Sequence, residues 1–308
     1  MKILVIHQPF PMGNYKLNQF IADHLSGSGH EVYTIQQLNG ADYTEEYMEQ
    51  IIDLKPDVCY YEMLDAKTFE IVEKLNCKKI LIFVSKGILD KHEDILNYKD
   101  KWFTHIFTNS KIIYDLLSDH VDNIFKYDYY FTCLNEKKCI KDIKYQHDCT
   151  FLGQGYHRLT LPEFYREREV FFNGKNPFNF KIYGTGWPTV DFYGGILPAD
   201  DIEKLYTSAK CGVSVIEADQ HPYGMINNRY TEMAFCELPI ITFDYKDVDW
   251  CGAEKYLNFI ETFEDFVDVI KKVKKGDSTI VWKAEQLKFF MKTQHEIYLK
   301  QLKEFVND

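Results

Sequence analysis

The sequence predicts an α/β protein of two Rossmann-like domains facing across a cleft, with a C-terminal helix returning to the first domain. Three observations carry that reading. Short apolar runs alternate with amphipathic stretches along the chain, and strands alternating with helices imply right-handed crossovers and parallel sheets. A stretch rich in Lys, Asp and Cys, from about Phe131 to His147, lacks clean periodicity and interrupts the series. The 308-residue length leaves room for a core on either side of it.

In order, Lys2 to Ile6 reads as a strand, Leu17 to Leu25 as a helix closed by Gly27 and Gly29, and Glu31 to Ile35 as the second strand. Glu45 to Leu54 is helical. Pro56-Asp57 introduces the strand Val58 to Tyr61, followed by a helix from Ala66 to Leu75. The β-prone run Lys79 to Val84, the strand His105 to Thr108 and a helix from Ser110 to Leu117 complete the first series.

The second series runs Thr150 to Leu152 (strand), Pro162 to Phe172 (helix), Phe180 to Tyr183 (strand), Ala199 to Ser208 (helix) and Cys211 to Ile216 (strand). The helix Asn228 to Cys236 and the strand Ile240 to Phe243 close it. Leu287, Phe290, Met291, Tyr298, Leu302 and Phe305 then recur at helical spacing, so a long terminal helix has one apolar face to dock. The expected domains are residues 1–145 together with a helix over about 286–308, and residues 146–285.

Composition narrows the classes. Apolar residues make up 45% and charged residues 27%, as in globular proteins. The longest apolar runs, such as Ile80 to Val84, are far shorter than the roughly 20 residues that span a bilayer. Met1 to His7 is likewise too short for a signal peptide and runs into a polar loop, so the expected compartment is the cytoplasm. Eight cysteines are scattered without a C-x-x-C pair and read as reduced thiols. The net charge of -11 argues against a broadly electropositive nucleic-acid surface.

In parallel sheets ligands bind beyond the carboxyl ends of strands, so the loops there carry the chemistry. One stands out. After Cys211 to Ile216, a polar loop ends in Tyr223-Gly224-Met225-Ile226-Asn227-Asn228 and opens a helix that carries Arg229 and Glu232. Small residues and Asn at a helix entry leave backbone N–H groups free to meet an anion, and the helix dipole adds to the attraction. A diphosphate seat fits this pattern. Arg229 and Glu232, three apart, share a helix face. They suit either a surface ion pair or a phosphate contact followed by a carboxylate that accepts two ribose hydroxyls.

The segment Asn227 to Thr242 resembles the donor-site stretch of the GT-B glycosyltransferases, particularly the CgeB-like group with its "glycosyl transferases group 1" domain. That pattern is approximately N-x-R-x-F-E-x-x-A-x-G followed by a strand. Here Tyr230-Thr231 precede the Glu, and Glu237 stands where the glycine would be. Asp148-Cys149-Thr150-Phe151-Leu152-Gly153 is similar to the family's D-x-x-F-x-G opening. Phe180 to Trp187 is similar to its strand and glycine turn, and Tyr193-Gly194-Gly195 with Asp201, Leu205, Tyr206 and Ala209 to its next stretch. The four pieces stand in order across about a hundred residues, while the first half resembles the family only in its opening β–loop–α unit.

The resemblance implies a metal-independent glycosyltransferase whose second domain binds a nucleotide-sugar, a UDP-sugar foremost, with no further cofactor. Gly153 and Gln154 would line the gap between domains, with Arg158 or Lys181 near phosphate. Tyr183, Gly184 and Trp187 would flank the nucleobase. Tyr223, Gly224, Met225, Ile226, Asn227 and Asn228 would hold the diphosphate, Arg229 would assist, and Glu232 would bind the ribose. No D-x-D metal motif stands between suitable strands. The first domain would supply the acceptor site, with Gly13 and Asn14 near the donor sugar. His7, Glu62 and Asp65 are its base candidates, and Ser85, Lys86 and Asp90 are equally placed. The acceptor hydroxyl belongs to a glycan, a protein or a hydroxymethylated DNA base, the last disfavoured by net charge. A non-catalytic sugar-nucleotide binder and a sugar-nucleotide epimerase of the same shape are the alternatives.

Overall fold

The computed structural model describes residues 1–7, 15–36, 44–62, 66–83, 99–127, 140–172, 177–188, 191–216, 224–246 and 248–307. The chain divides into two compact units. One comprises Met1–Cys133, Pro222–Met225 and Ile297–Asp308; the other comprises Leu134–His221 and Ile226–Glu296.

In the first unit the strands are β1 (Lys2–His7), β2 (Glu31–Gln36), β3 (Val58–Glu62), β4 (Lys78–Phe83), β5 (His105–Thr108) and β6 (Ile124–Lys126). The helices are α1 (Tyr15–Gly27), α2 (Glu45–Asp53), α3 (Ala66–Lys74) and α4 (Lys111–Leu117). The sheet is parallel in the order β2-β1-β3-β4-β5-β6. Alternate residues supply two cores. Leu4, Ile6, Cys59, Tyr61 and Leu81 pack on one face, and Ile3, Val5, Val58, Tyr60, Ile80 and Ile82 on the other. Both faces are covered, which is why these strands read as continuous apolar runs. Thr44 and Ser110 cap α2 and α4, their hydroxyls accepting from the N–H of Tyr47 and Ile113.

The second unit holds β7 (Cys149–Leu152), β8 (Phe180–Tyr183), β9 (Tyr193–Gly195), β10 (Gly212–Val213), β11 (Ile240–Phe243) and β12 (Asn258–Ile260). Its helices are α5 (Tyr156–Thr160), α6 (Tyr165–Val170), α7 (Ile202–Ser208), α8 (Asn228–Phe235), α9 (Phe263–Lys274) and α10 (Ser278–Asn307). This sheet is also parallel, in the order β12-β11-β10-β7-β8-β9. A reciprocal Thr262–Asp265 capping box starts α9.

The terminal helix begins at Ser278, earlier than its apolar stripe suggests, and its last part belongs to the first unit. There Tyr298, Leu302 and Val306, four apart, enter the core with Val5 and Tyr60. Each such side chain contributes about 1.5–3 kcal/mol when fully buried. Elsewhere the elements differ from expectation in detail. The helix expected over Pro162 to Phe172 is a 3₁₀ turn at Pro162–Phe164 followed by α6, and the short helix α5 precedes it where none was expected. The strands β6, β9 and β12 are too short, at three residues each, to register in sequence, and α9, with Phe266 and Ile270 buried four apart, was not expected although its periodicity is clear. Among the described residues no helix is long and apolar enough to cross a membrane, and the six described cysteines are free thiols.

Candidate functional site

The strand order of the second sheet decides where a ligand can sit. From β7 the chain builds outward through β8 and β9, then returns to add β10, β11 and β12 on the other side. The order reverses between β7 and β10, where Thr150 is the register partner of Gly212. At such a switch point the following helices leave in opposite directions and open a crevice beyond the strand ends. The loop Gly153-Gln154-Gly155 and the start of α8 meet there.

Asn227 fixes that start. Its side-chain oxygen accepts from the N–H of Arg229 at 3.2 Å, and its Nδ2 donates to the Val215 carbonyl at 2.8 Å. The cap thus ties the helix to the end of β10. Tyr230 anchors the buried side of α8 through Thr242 at 2.7 Å and the Ser214 carbonyl at 3.3 Å. Asn228, Arg229 and Glu232 are partly buried, and Asn228 Nδ2 donates to Glu232 Oε1 at 3.0 Å. The Arg229 guanidinium lies 5.8 Å from the centre of the Phe151 ring. A Cβ on Gly153 would stand 3.3 Å from Arg229 Nη2 and 2.8 Å from the Phe151 ring. The structure therefore brings Gly153, Asn227, Asn228, Arg229 and Glu232 together, and Gln154 is exposed beside them.

Two glycine turns form the adjoining wall. Gly153 and Gly155 donate to the carbonyls of Tyr183 and Thr185, both at 2.9 Å, and Trp187 Nε1 donates to the Gly153 carbonyl at 2.8 Å. Gly184 has φ +130°, and a Cβ there would lie 2.1 Å from the Gly153 oxygen. Only glycine allows so close an approach.

Several expected contacts have other roles. Trp187 is 8% exposed, packs against Phe151 and Phe172 at 5.9 and 4.9 Å, and fills the space above Gly155. It is a core residue, because its ring packs on two phenylalanines and its N–H is bonded to the Gly153 carbonyl. Tyr183 is also buried, with its ring over Gly194 and its hydroxyl 2.8 Å from His147 Nε2. Burial pushes that phenol up to about 12. Arg158, expected near phosphate, is a buried partner of Glu167. Lys181 donates to the Asp191 carbonyl at 2.5 Å.

Met225 has no exposed side chain and packs in the first unit's core, and Ile226 is buried, so only the backbone of this stretch is left for an anion. Tyr223, Gly13, Asn14 and Asp65 lie outside the described residues, as do Ser85, Lys86 and Asp90. His7 and Glu62 end β1 and β3, the strands between which the first sheet reverses order; their side chains are outside the described residues.

Two residues with a part in the site escaped the sequence reading. Phe151 carries Arg229, yet an apolar residue in a strand looks only like core. Tyr206 on α7 is 2% exposed, and its hydroxyl has no hydrogen-bond partner among the described residues. Burial raises that phenol well above its ordinary range, the Glu232 carboxylate adding to the effect and Arg229 opposing it. Its place in the Leu205-Tyr206 pair was the available signal. A separate hollow of about 420 Å³ lies at the other end of the sheet, beside His147, Lys210, Pro239 and Ala284.

The turn after α8 is intact despite Glu237. That residue has φ +54°, its N–H reaches the Ala234 carbonyl and that of Leu238 the Met233 carbonyl, both at 3.0 Å. These are the two bonds of a Schellman motif, whose left-handed position favours glycine. Glu237 also pairs with Lys288 at 2.7 Å. Relief of left-handed strain, about 1–2 kcal/mol, outweighs a half-exposed ion pair and the extra freedom of an unfolded glycine. Glu237→Gly is expected to stabilise the protein by about 0.5 kcal/mol, read as a higher denaturant midpoint at unchanged slope.

Residues 147–296 match a family model described as glycosyl transferase-like. No curated protein sequence matches the chain. Among solved structures the chain is similar to the Anabaena protein Alr3699/HepE in complex with UDP-glucose, with a TM-score of 0.65 and 9% identity over 99% of this chain and 100% of that one. It is similar to the DNA-modifying enzyme β-glucosyltransferase, at 0.64 and 14% over 100% of both chains. A third is sucrose-phosphate synthase from Thermosynechococcus elongatus, at 0.67 and 9% over 99% of this chain and 98% of that one. At such identities the likeness is one of fold.

Proposed function

We propose, from the GT-B fold and the match of residues 147–296 to a glycosyl transferase-like family model, that the chain transfers a hexosyl or pentosyl group from a nucleotide-sugar to a hydroxyl acceptor. The observation that carries this reading is Arg229 at the capped start of α8, beside Gly153, at the switch point of the second sheet.

Chemically, transfer leaves a nucleoside diphosphate, so the site must meet growing negative charge on the leaving group. Backbone N–H groups at the start of α8 and the Arg229 guanidinium are donors held in place before the reaction begins. They do this work in place of a divalent cation. Glu232, one turn further, accepts from the ribose hydroxyls and so separates nucleotide donors from free phosphates. A UDP-sugar is the favoured donor, consistent with the UDP-glucose bound by the structural neighbour Alr3699/HepE. His7 and Glu62, at the switch point of the first sheet, are the base candidates for the acceptor hydroxyl. That hydroxyl belongs to a glycan, a protein or a hydroxymethylated base. A binder without turnover is the alternative, and donor binding by calorimetry without hydrolysis or transfer would favour it.

The test is a panel of UDP-, GDP- and TDP-sugars with acceptor mixtures, in the presence of a chelator, with products read by mass spectrometry. A UDP-sugar is expected to be consumed with a stoichiometric glycosylated product. Loss of turnover on chelation would refute metal independence, and an epimerised sugar without transfer would refute the reaction. Removing a charged hydrogen-bond acceptor costs about 1.5–3 kcal/mol. Glu232→Ala should therefore weaken UDP binding roughly thirtyfold by calorimetry; unchanged affinity would deny the ribose role.

A further inference from the structure

Beneath the seat lies an ion pair for which the reaction as outlined has no use. Arg158 in α5 and Glu167 in α6 meet at 2.7 Å, with their side chains only 1% and 7% exposed. The rings of Phe151 and Phe164 flank the guanidinium at 5.2 and 5.1 Å. Desolvating two charges commonly cancels what their attraction returns, and apolar replacements of such pairs are often neutral or stabilising. Folding stability is therefore a poor account of this pair.

Its contacts suggest another account. The Phe151 ring that touches Arg158 also touches Arg229, and Gly153 packs against the same ring. On the other side of the carboxylate, the Tyr245 hydroxyl stands 3.5 Å from Glu167 Oε1 and receives the Ile216 N–H at 3.4 Å. Ile216 is where β10 runs out toward α8. One carboxylate thus reaches the segments that follow β7, β10 and β11.

We propose that Glu167 is a positioning residue for the nucleotide seat. Paired with Arg158, it fixes the Phe151 ring and the end of β10, and through them the placement of Arg229 and Gly153. The inference rests on the reading of that seat as a nucleotide site.

The test removes both charges together, Arg158→Met with Glu167→Leu, so that neither is left buried and uncompensated. The melting temperature should stay within a few degrees of wild type or rise, while the Kd for UDP rises fivefold to twentyfold. Tyr245→Phe, which cuts only the branch to Ile216, should weaken UDP two- to threefold. Hydrogen exchange without nucleotide supplies a readout independent of the ligand: the amides of Gly153 and Ile216 should exchange faster in the double variant. UDP affinity within twofold of wild type in the folded double variant would overturn the proposal, as would unchanged exchange at both amides. Wild-type protein that binds no UDP would instead overturn the donor reading, with exchange still deciding whether Glu167 orders these segments.

Discussion

Arg229→Ala is expected to lower kcat/KM by roughly a hundredfold to a thousandfold while the protein stays folded. Arg229 sits at the N-terminus of α8 beside Gly153, where a leaving diphosphate would gather its charge. Truncating one partner of a desolvated charge-assisted contact costs about 2–5 kcal/mol, and each 1.4 kcal/mol is about tenfold in rate. The fold should survive, because the contact with Phe151 contributes only about 0.5–2 kcal/mol. Arg229→Lys should recover little, since a point charge does not replace the planar fork. Arg166→Ala is the control: that arginine lies over Phe243 and should leave turnover unchanged. Activity within threefold of wild type in Arg229→Ala would remove this residue from the mechanism.

Gly184→Ala should cost about 3 kcal/mol or more in stability and abolish donor binding. Its new methyl would stand 2.1 Å from the Gly153 carbonyl oxygen, and both partners are backbone, so no flexible side chain can yield. Overpacking costs about 1–3 kcal/mol, and the left-handed φ adds to it. The two turns must part, which strains the Trp187 bond to that carbonyl. At about 2–4 °C per kcal/mol for a unit of this size, the melting temperature should fall by roughly 10 °C. Gly195→Ala shares the left-handed backbone but meets nothing within 4 Å among the described residues, and should cost only about 1 kcal/mol. Equal losses in the two variants would show that backbone strain, and not the contact with Gly153, makes glycine necessary at 184.

Much of this was readable before any coordinates. The runs Ile3 to Ile6 and Ile80 to Ile82 are buried on both sides, so their apolar continuity announced parallel strands. The cap at Asn227 and the shared helix face of Arg229 and Glu232 were likewise legible, because they are separated by fixed helical steps. Glu237 looked like a defect in that pattern. The structure shows the left-handed turn kept in spite of it, because two backbone bonds and Lys288 hold the residue there.

Aromatic residues were where the sequence misled. Trp187 and Tyr183 stand in a glycine turn, where either an exposed stacking face or a buried anchor would look the same in sequence. Packing against Phe151, Phe172 and Gly194 made both of them anchors. Arg158 likewise read as a phosphate contact, whereas the structure pairs it with Glu167 nine residues on, across the 3₁₀ turn at Pro162–Phe164.

The sequence by itself determined the alternation of strands and helices and the capped entry of α8, since both depend on neighbours a few residues apart. Tertiary structure alone decided that β7 lies beside β10, that Phe151 bears two arginines, and that Gly184 touches Gly153. Those are meetings of segments tens of residues apart, set by strand order and close packing, and no local pattern of residue types encodes them.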